Sequence, residues 1–158
     1  MSSGFAILLA LGIGIVAGLR SLTAPAVVAW AAYIGWINLH NSPLAFMGSV
    51  RAVAIFTVLA LVEFVTDQLP CTPARTAAVG LSVRIVTGSL AGACLAVAGG
   101  ATAWLGALAG AAGGIAGAFG GYRARIGLVR ALSVPDIAIA IPEDLIAIGL
   151  GLLLVSRL

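Results

Sequence analysis

The sequence predicts an all-α polytopic membrane protein with about five transmembrane helices. Of its 158 residues, 62% are hydrophobic and only 8% are charged, and the mean hydropathy is +1.21. A soluble domain of this length has too small an interior to hide that much apolar surface. The apolar residues also fall into segments of helical length. We therefore expect a single transmembrane domain that covers residues 1–158.

Five apolar segments follow one another along the chain. Their approximate bounds are 4–37, 44–69, 76–99, 101–122 and 135–155. The first segment would make ~50 Å of helix, which is longer than one hydrocarbon thickness. Pro25 lies near its middle, in AGLRSLTAPAV, where it removes a backbone donor and crowds the preceding turn. We expect the helix to be broken or kinked near Arg20–Pro25. The alternative is a tilted helix whose second half, with Trp30 and Trp36, lies at the membrane interface.

The second and last segments carry acids at depths where acids are costly. Asp136, Glu143 and Asp144 lie in a stretch long enough to cross a bilayer, and Glu63 and Asp67 share one face of the second helix. Each acid near the bilayer centre costs ~2.5–3.5 kcal/mol on an insertion scale, several times what one aliphatic residue returns. These acids must therefore face protein or water, become protonated, or pair with arginines.

The arginines suggest an orientation and a polar layer. With a cytoplasmic N-terminus and five crossings, the inner loops carry Arg75, Arg123, Arg125 and Arg130, and the outer side keeps Arg51 and Arg157. This fits the positive-inside rule, although dual topology also remains open, and the N-terminal assignment reverses if the first segment crosses twice. Glu63, Glu143 and Arg84 then lie ~10–12 Å from the cytoplasmic helix ends, in one layer.

Two interpretations of this layer are open. The first is a solvated site for an ion or small solute, in which Glu63 or Glu143 changes protonation. The second is a buried network of charges that only fixes helix packing. The candidate transport or ion-binding residues are Glu63, Asp67, Glu143, Asp144, Asp136, Arg20, Arg84 and Arg123. We expect a small carrier or channel in a bacterial inner membrane; the alternative is a non-transporting accessory or assembly protein.

Small residues repeat at helical spacing in the third and fourth segments. The rows are Gly88, Gly92, Ala96 and Gly100; Gly106, Gly110, Gly114 and Ala118; and Gly113, Gly117 and Gly121. Such rows let helices approach closely, and they predict tight packing and association into a homo-oligomer. A helix that slides or lines a narrow pore is the alternative.

Other functional classes have little support in the sequence. Cys71 and Cys94 match no metal or redox spacing, and His40 lies in a turn-rich loop. No constellation typical of an enzyme is present, so we expect neither an enzyme nor a metal or other cofactor. The arginines are dispersed, which is not the footprint of a nucleic-acid-binding protein. The expected partners are membrane lipids and an ion or small solute.

A faint internal repeat relates the two ends of the chain. GIGIVAGLRSLTAPAVV is similar to GGIAGAFGGYRARIGLV, and LALVEFVTDQL is similar to AIAIPEDLIAIGL. The first two segments thus align with the last two. An odd number of crossings between the copies would give them opposite orientations, as in inverted-repeat transporters.

Three motifs carry a resemblance to a known family. They are AGLRSLTAP, LVEFVTDQLP followed by an arginine-bearing helix, and VPDIAIAIPEDLIAIGLGLLL, and together they cover most of the chain. The chain resembles a family of small bacterial inner-membrane proteins, the domain of unknown function 4126. The resemblance implies a multi-helix membrane domain with acidic residues in its second and last helices. It implies no activity.

Overall fold

The computed structural model describes residues 2–66, 77–132 and 136–158, apart from the side chains of 136–138. Within these ranges the chain forms α-helices and no strands, which confirms the predicted all-α class. The elements are α1 (Ser3–Leu19), α2 (Thr23–Tyr33), a short 3-10 helix (Ala45–Gly48), α3 (Val50–Thr66), α4 (Ala78–Ala98), α5 (Ala103–Leu132) and α6 (Asp136–Val155).

The first apolar segment is two helices, so it is broken as predicted. α1 ends at Leu19, Arg20 is extended (φ −138°, ψ 109°), and α2 begins at Thr23. Pro25 lies in the first turn of α2, where its missing N–H removes no helical hydrogen bond. The alternative of one continuous tilted helix is therefore wrong.

The chain also reverses direction at this break. α6 runs antiparallel to α1, because Gly12 approaches Leu154 and Arg20 approaches Asp144. The same helix runs parallel to α2, because Val27 approaches Gly151. Val27 lies seven residues after Arg20, and Gly151 lies seven residues after its partner Asp144. Hence α1 and α2 point in opposite directions, and the three residues between them form a buried turn.

Three of the predicted boundaries differ from the observed ones. α5 continues to Leu132, ten residues beyond the end of the predicted apolar segment at 122. Residues 123–132 contain no Pro, Asn or Asp, and most are good helix formers. α2 ends at Tyr33 rather than at 37, and α3 begins at Val50, after the short 3-10 helix. The predicted end of the second segment lies outside the described residues, whereas α4 and α6 begin within two residues of prediction.

Glycine allows the tight turn between α4 and α5. Gly100 adopts a positive φ of 76°, which residues with a Cβ rarely tolerate, and the Ala101 N–H donates to the Ala96 carbonyl at 2.7 Å. This bond satisfies a carbonyl at the end of α4 and turns the chain back. α5 returns antiparallel along α4, with Gly106 against Gly92.

The core of the bundle is α5 held between α1 and α4 by the two glycine rows of α5. A Cβ added at Gly110 would lie 2.8 Å from the Gly88 carbonyl carbon of α4, and one at Gly113 would lie 2.9 Å from Gly14 Cα of α1. Gly106 and Gly114 also face α4, Gly117 faces α1, and Gly121 is half-buried. The backbones are therefore in direct contact, and larger residues would separate the helices.

Only one of the two aligned pairs in the sequence repeat runs in opposite directions: α3 and α6 are antiparallel, whereas α1 and α5 are not. Gly14 packs near Gly110, and Gly18 packs near Gly117, so α1 and α5 run parallel. An inverted repeat that pairs the first segment with the fourth requires these two helices to be antiparallel. The helix directions instead alternate along the chain. The start of α1 and the end of α6 therefore lie at the same end of the bundle.

Two helices among the described residues are long and apolar enough to cross a membrane. They are α4, with 21 residues, and α5, with 30. α1 is apolar but shorter, with 17 residues. Outward-facing aliphatic side chains cover much of α3 and α6, and several, such as Leu61 and Leu145, are more than 60% exposed.

Candidate functional site

A buried carboxylate from α3 holds the start of α2. Leu22 precedes the first residue of α2 and has no side chain able to cap a helix. Glu63 supplies that function from another helix. Its Oε1 accepts from the Ser21 N–H at 2.8 Å and from the Ser21 hydroxyl, and its Oε2 accepts from the Leu22 N–H at 2.8 Å. The negative charge also complements the positive end of the α2 dipole. Glu63 thereby fixes the turn between α1 and α2.

A buried guanidinium from α4 holds the end of α1. The last carbonyls of an α-helix have no partner within the helix. Arg84 Nε donates to the carbonyl of Gly18 at 3.1 Å, and its Nη1 donates to the carbonyl of Gly80 at 2.9 Å. A cation at this position complements the negative end of the α1 dipole. The two helix ends at the break are thus held by charges of the favourable sign. Arg84 holds the end of α1, and Glu63 holds the start of α2.

The break itself carries a buried ion pair. Arg20 Nε and Nη2 contact Oδ1 of Asp144, on α6, and the two residues are 2% and 3% exposed. The Arg20 guanidinium also lies over the ring of Phe64, 5.2 Å from its centroid. A planar guanidinium suits both contacts, because its face stacks on the ring while its edge donates to the carboxylate. Three helices, α1, α3 and α6, therefore meet at Arg20.

The other predicted site residues lie elsewhere or outside the described residues. Glu143 Oε2 lies 3.6 Å from Arg125 Nη1, on α5, rather than against the break. Arg123 is exposed near the C-terminal end of α5. Asp67 lies outside the described residues, and Asp136 begins α6 but its side chain is not described. The structure thus brings Glu63, Arg84, Arg20 and Asp144 to the break and gives Glu143 a separate partner.

A cavity of about 180 Å³ adjoins the ion pair, between α2, α3 and α6. Arg20 and Asp144 line one end, whereas Trp30 and Thr57 line the other and are joined by a hydrogen bond of 3.0 Å from Trp30 Nε1 to Thr57 Oγ1. The walls between them are aliphatic. Two larger cavities, of about 640 and 340 Å³, lie along α3, and no ion pair is present among their described lining residues.

Sequence reasoning missed three residues of this region. Ser21 donates twice to Glu63, Phe64 stacks on Arg20, and Thr57 bonds Trp30. Two of them had a signal in the sequence, because Thr57 and Phe64 are seven residues apart and therefore share a face of α3. The double role of Ser21 depends on the sharp turn, which no local pattern specifies.

These observations define a class: an all-helical protein with two helices suited to crossing a membrane and with charged side chains buried around a broken helix. The chain belongs to the family described as domain of unknown function (DUF4126), whose model matches residues 7–156. The resemblance seen in the three motifs is thereby confirmed. No curated protein and no solved structure matches the chain.

Proposed function

We propose that the protein is a small integral membrane carrier whose solute site is the cavity beside the broken helix. The two candidate spans and the aliphatic outer faces of α3 and α6 support a membrane location. The inner membrane and association into a homo-oligomer are part of the same proposal. Buried charge in such an environment is expensive unless it is paired, and it is often retained for function.

One observation carries the proposal. The turn between α1 and α2 is buried, and the helix ends on either side of it are held by Arg84 and Glu63. A cavity of about 180 Å³ begins at the ion pair between Arg20, in this turn, and Asp144 of α6. Non-helical backbone at membrane depth is tolerated where it is covered by protein or lines a cavity. Carriers commonly place their solute site at such a discontinuous helix.

A second candidate function is an accessory or assembly role in which the charges only fix packing. It is favoured by the three hydrogen bonds that Glu63 accepts from the turn and by the two carbonyls to which Arg84 donates. Groups engaged in this way stabilise a fold without any solute. The two candidates differ in whether the cavity must stay open.

Filling the cavity separates the two functions. Ala60 lines the cavity on α3, and Ala116 is an exposed alanine on α5 that lies outside all three described cavities. The purified protein is reconstituted into vesicles, and counterflow is measured with a panel of radiolabelled amino acids, carboxylates, amines and inorganic ions. We expect flux of at least one solute, loss of that flux in Ala60→Phe, and no loss in Ala116→Phe. Absence of flux for the whole panel, or equal flux in both variants, would reject the carrier.

A further inference from the structure

The cavity beside the ion pair is a slot between two helices. Its α2 wall runs from Thr23 to Trp30 and its α3 wall runs from Thr57 to Phe64, in each case at spacings of i, i+3, i+4 and i+7. Such positions form one stripe on a helix, and a stripe of this length covers ~10 Å. Because α2 and α3 are antiparallel, Thr23 lies near Phe64 at the charged end, and Trp30 lies near Thr57 at the other.

The size and the walls of this slot restrict the body of a ligand. An apolar cavity of ~150 Å³ accepts benzene, so about 180 Å³ accepts one aromatic ring or a branched chain of similar volume. Side chains such as Val27, Leu61 and Ile148 form the walls, and they offer no hydrogen bonds to a sugar or to a hydrated ion. Leu61 and Ile148 are partly exposed, so the slot is open on one side. The body of the ligand is therefore apolar, and one aromatic ring fits.

The charged end of the slot restricts the head group. One cation, Arg20, and one anion, Asp144, line it, and both are almost fully buried. A ligand with a single charge would add an uncompensated charge to a low-dielectric site. A ligand with both charges adds none, since its carboxylate meets the guanidinium while its ammonium meets the carboxylate. Arg20 and Asp144 then each replace part of their contact with one another by a contact with the oppositely charged group of the ligand.

We propose that the slot binds a zwitterionic apolar amino acid, with its side chain between α2 and α3 and its α-carboxylate and α-ammonium groups at Arg20 and Asp144. This inference names the solute of the proposed carrier and so rests on that function. Binding and flux are measured separately, however, so the two can fail separately.

Three ligands of nearly equal shape test the head group. Calorimetry on the purified full-length protein compares L-phenylalanine, 3-phenylpropanoate, which lacks the ammonium, and 2-phenylethylamine, which lacks the carboxylate. We expect saturable binding of phenylalanine, and binding weaker by about thirtyfold or more for each analogue, because each leaves one buried charge without its ligand partner. Equal binding of all three, or binding of only an analogue, would overturn the proposal.

Three variants, one of them a control, locate the site and keep the test independent of folding. Ala60→Leu fills part of the slot and should abolish phenylalanine binding, whereas Ala116→Leu, at an exposed position on α5 outside the described cavities, should not. Asp144→Asn removes the partner of the ammonium and should reverse the preference toward 3-phenylpropanoate, which a purely structural role of Asp144 would not do. If Asp144→Asn does not fold, Ala60→Leu alone decides, and phenylalanine binding that survives it would overturn the proposal.

The same samples distinguish this inference from the carrier function. Binding of phenylalanine without counterflow leaves the site intact and rejects the carrier. Counterflow of another solute with no binding of phenylalanine rejects the amino-acid site and leaves the carrier. Neither binding nor counterflow rejects both.

Discussion

Glu63 is the residue on which the turn between α1 and α2 depends most directly. Glu63→Gln keeps one carbonyl oxygen but places an NH₂ group against backbone N–H or hydroxyl donors that the carboxylate satisfied. Because hydrogen bonds to a buried charge are worth ~1.5–3 kcal/mol, we expect a loss of about 2 kcal/mol in the free energy of unfolding. Denaturant unfolding in detergent, followed by circular dichroism, measures it.

Glu143→Gln is the matched control for that measurement. Its ion pair to Arg125 spans 3.6 Å, whereas Glu63 accepts three shorter hydrogen bonds from the turn. We expect a smaller loss than in Glu63→Gln, because a long ion pair supports the turn less than hydrogen bonds made directly to its backbone. If Glu143→Gln were instead the more destabilising change, Glu63 would not be the main support of the turn.

The Arg20–Asp144 pair should behave as one unit. Removing one partner of a buried ion pair costs about 3–5 kcal/mol, whereas replacing both by apolar residues of similar volume is often nearly neutral. We therefore expect Arg20→Met and Asp144→Leu each to destabilise the protein strongly and the double variant to lose much less than their sum. The unfolding free energies of the wild-type protein and of the three variants form a double-mutant cycle. Additive losses would show that the two residues act independently.

At the scale of the helices, α5 determines how closely α1 and α4 approach. Gly110→Ala places a methyl group 2.8 Å from a backbone atom of Gly88, and overpacking of this kind costs about 1–3 kcal/mol. Gly120 lies on the same helix, and a Cβ there meets nothing within 4 Å. Since alanine favours a helix over glycine by up to ~1 kcal/mol, Gly120→Ala should be neutral or stabilising. Thermal unfolding of both variants checks the contrast, and equal transitions would mean that α5 does not hold α1 and α4 together through these rows.

The elements show which features a sequence can predict and which it cannot. The break was predictable, because Pro25 and Arg20 both oppose a continuous apolar helix. The reversal of direction was not, since a kink and a reversal share the same local signals. The partner of Arg20 was equally hidden. Asp144 and Glu143 are adjacent and point about 100° apart on α6. Which of them faces Arg20 depends on how α6 is rotated, and that rotation follows from contacts such as Gly151 with Val27.

For the whole molecule, alternating helix directions have a consequence for topology. The sequence-based prediction of a cytoplasmic N-terminus assumed that the first segment crosses once. Because α1 runs parallel to α5, the N-terminus lies at the end of the bundle away from the arginines at the C-terminal end of α5. α5 is ~45 Å long, so its last turns extend beyond a ~30 Å hydrocarbon core, where exposed Arg123 and Arg130 favour the cytoplasmic leaflet. We therefore expect both termini outside.

Labelling of single cysteines in intact bacterial cells tests this arrangement. In a Cys71→Ser, Cys94→Ala background, Ser2→Cys and Ser156→Cys mark the termini, and Arg130→Cys marks the arginine-rich end of α5. A membrane-impermeant maleimide should label the two terminal cysteines from outside and reach position 130 only after the cells are permeabilised. Labelling of positions 2 and 156 from opposite sides would mean that α1 and α2 cross together once, because an odd number of crossings separates the termini. The buried turn at Arg20 would then not be the reversal that brings Glu63, Arg84 and Asp144 together, and the cavity beside it would lose its boundary.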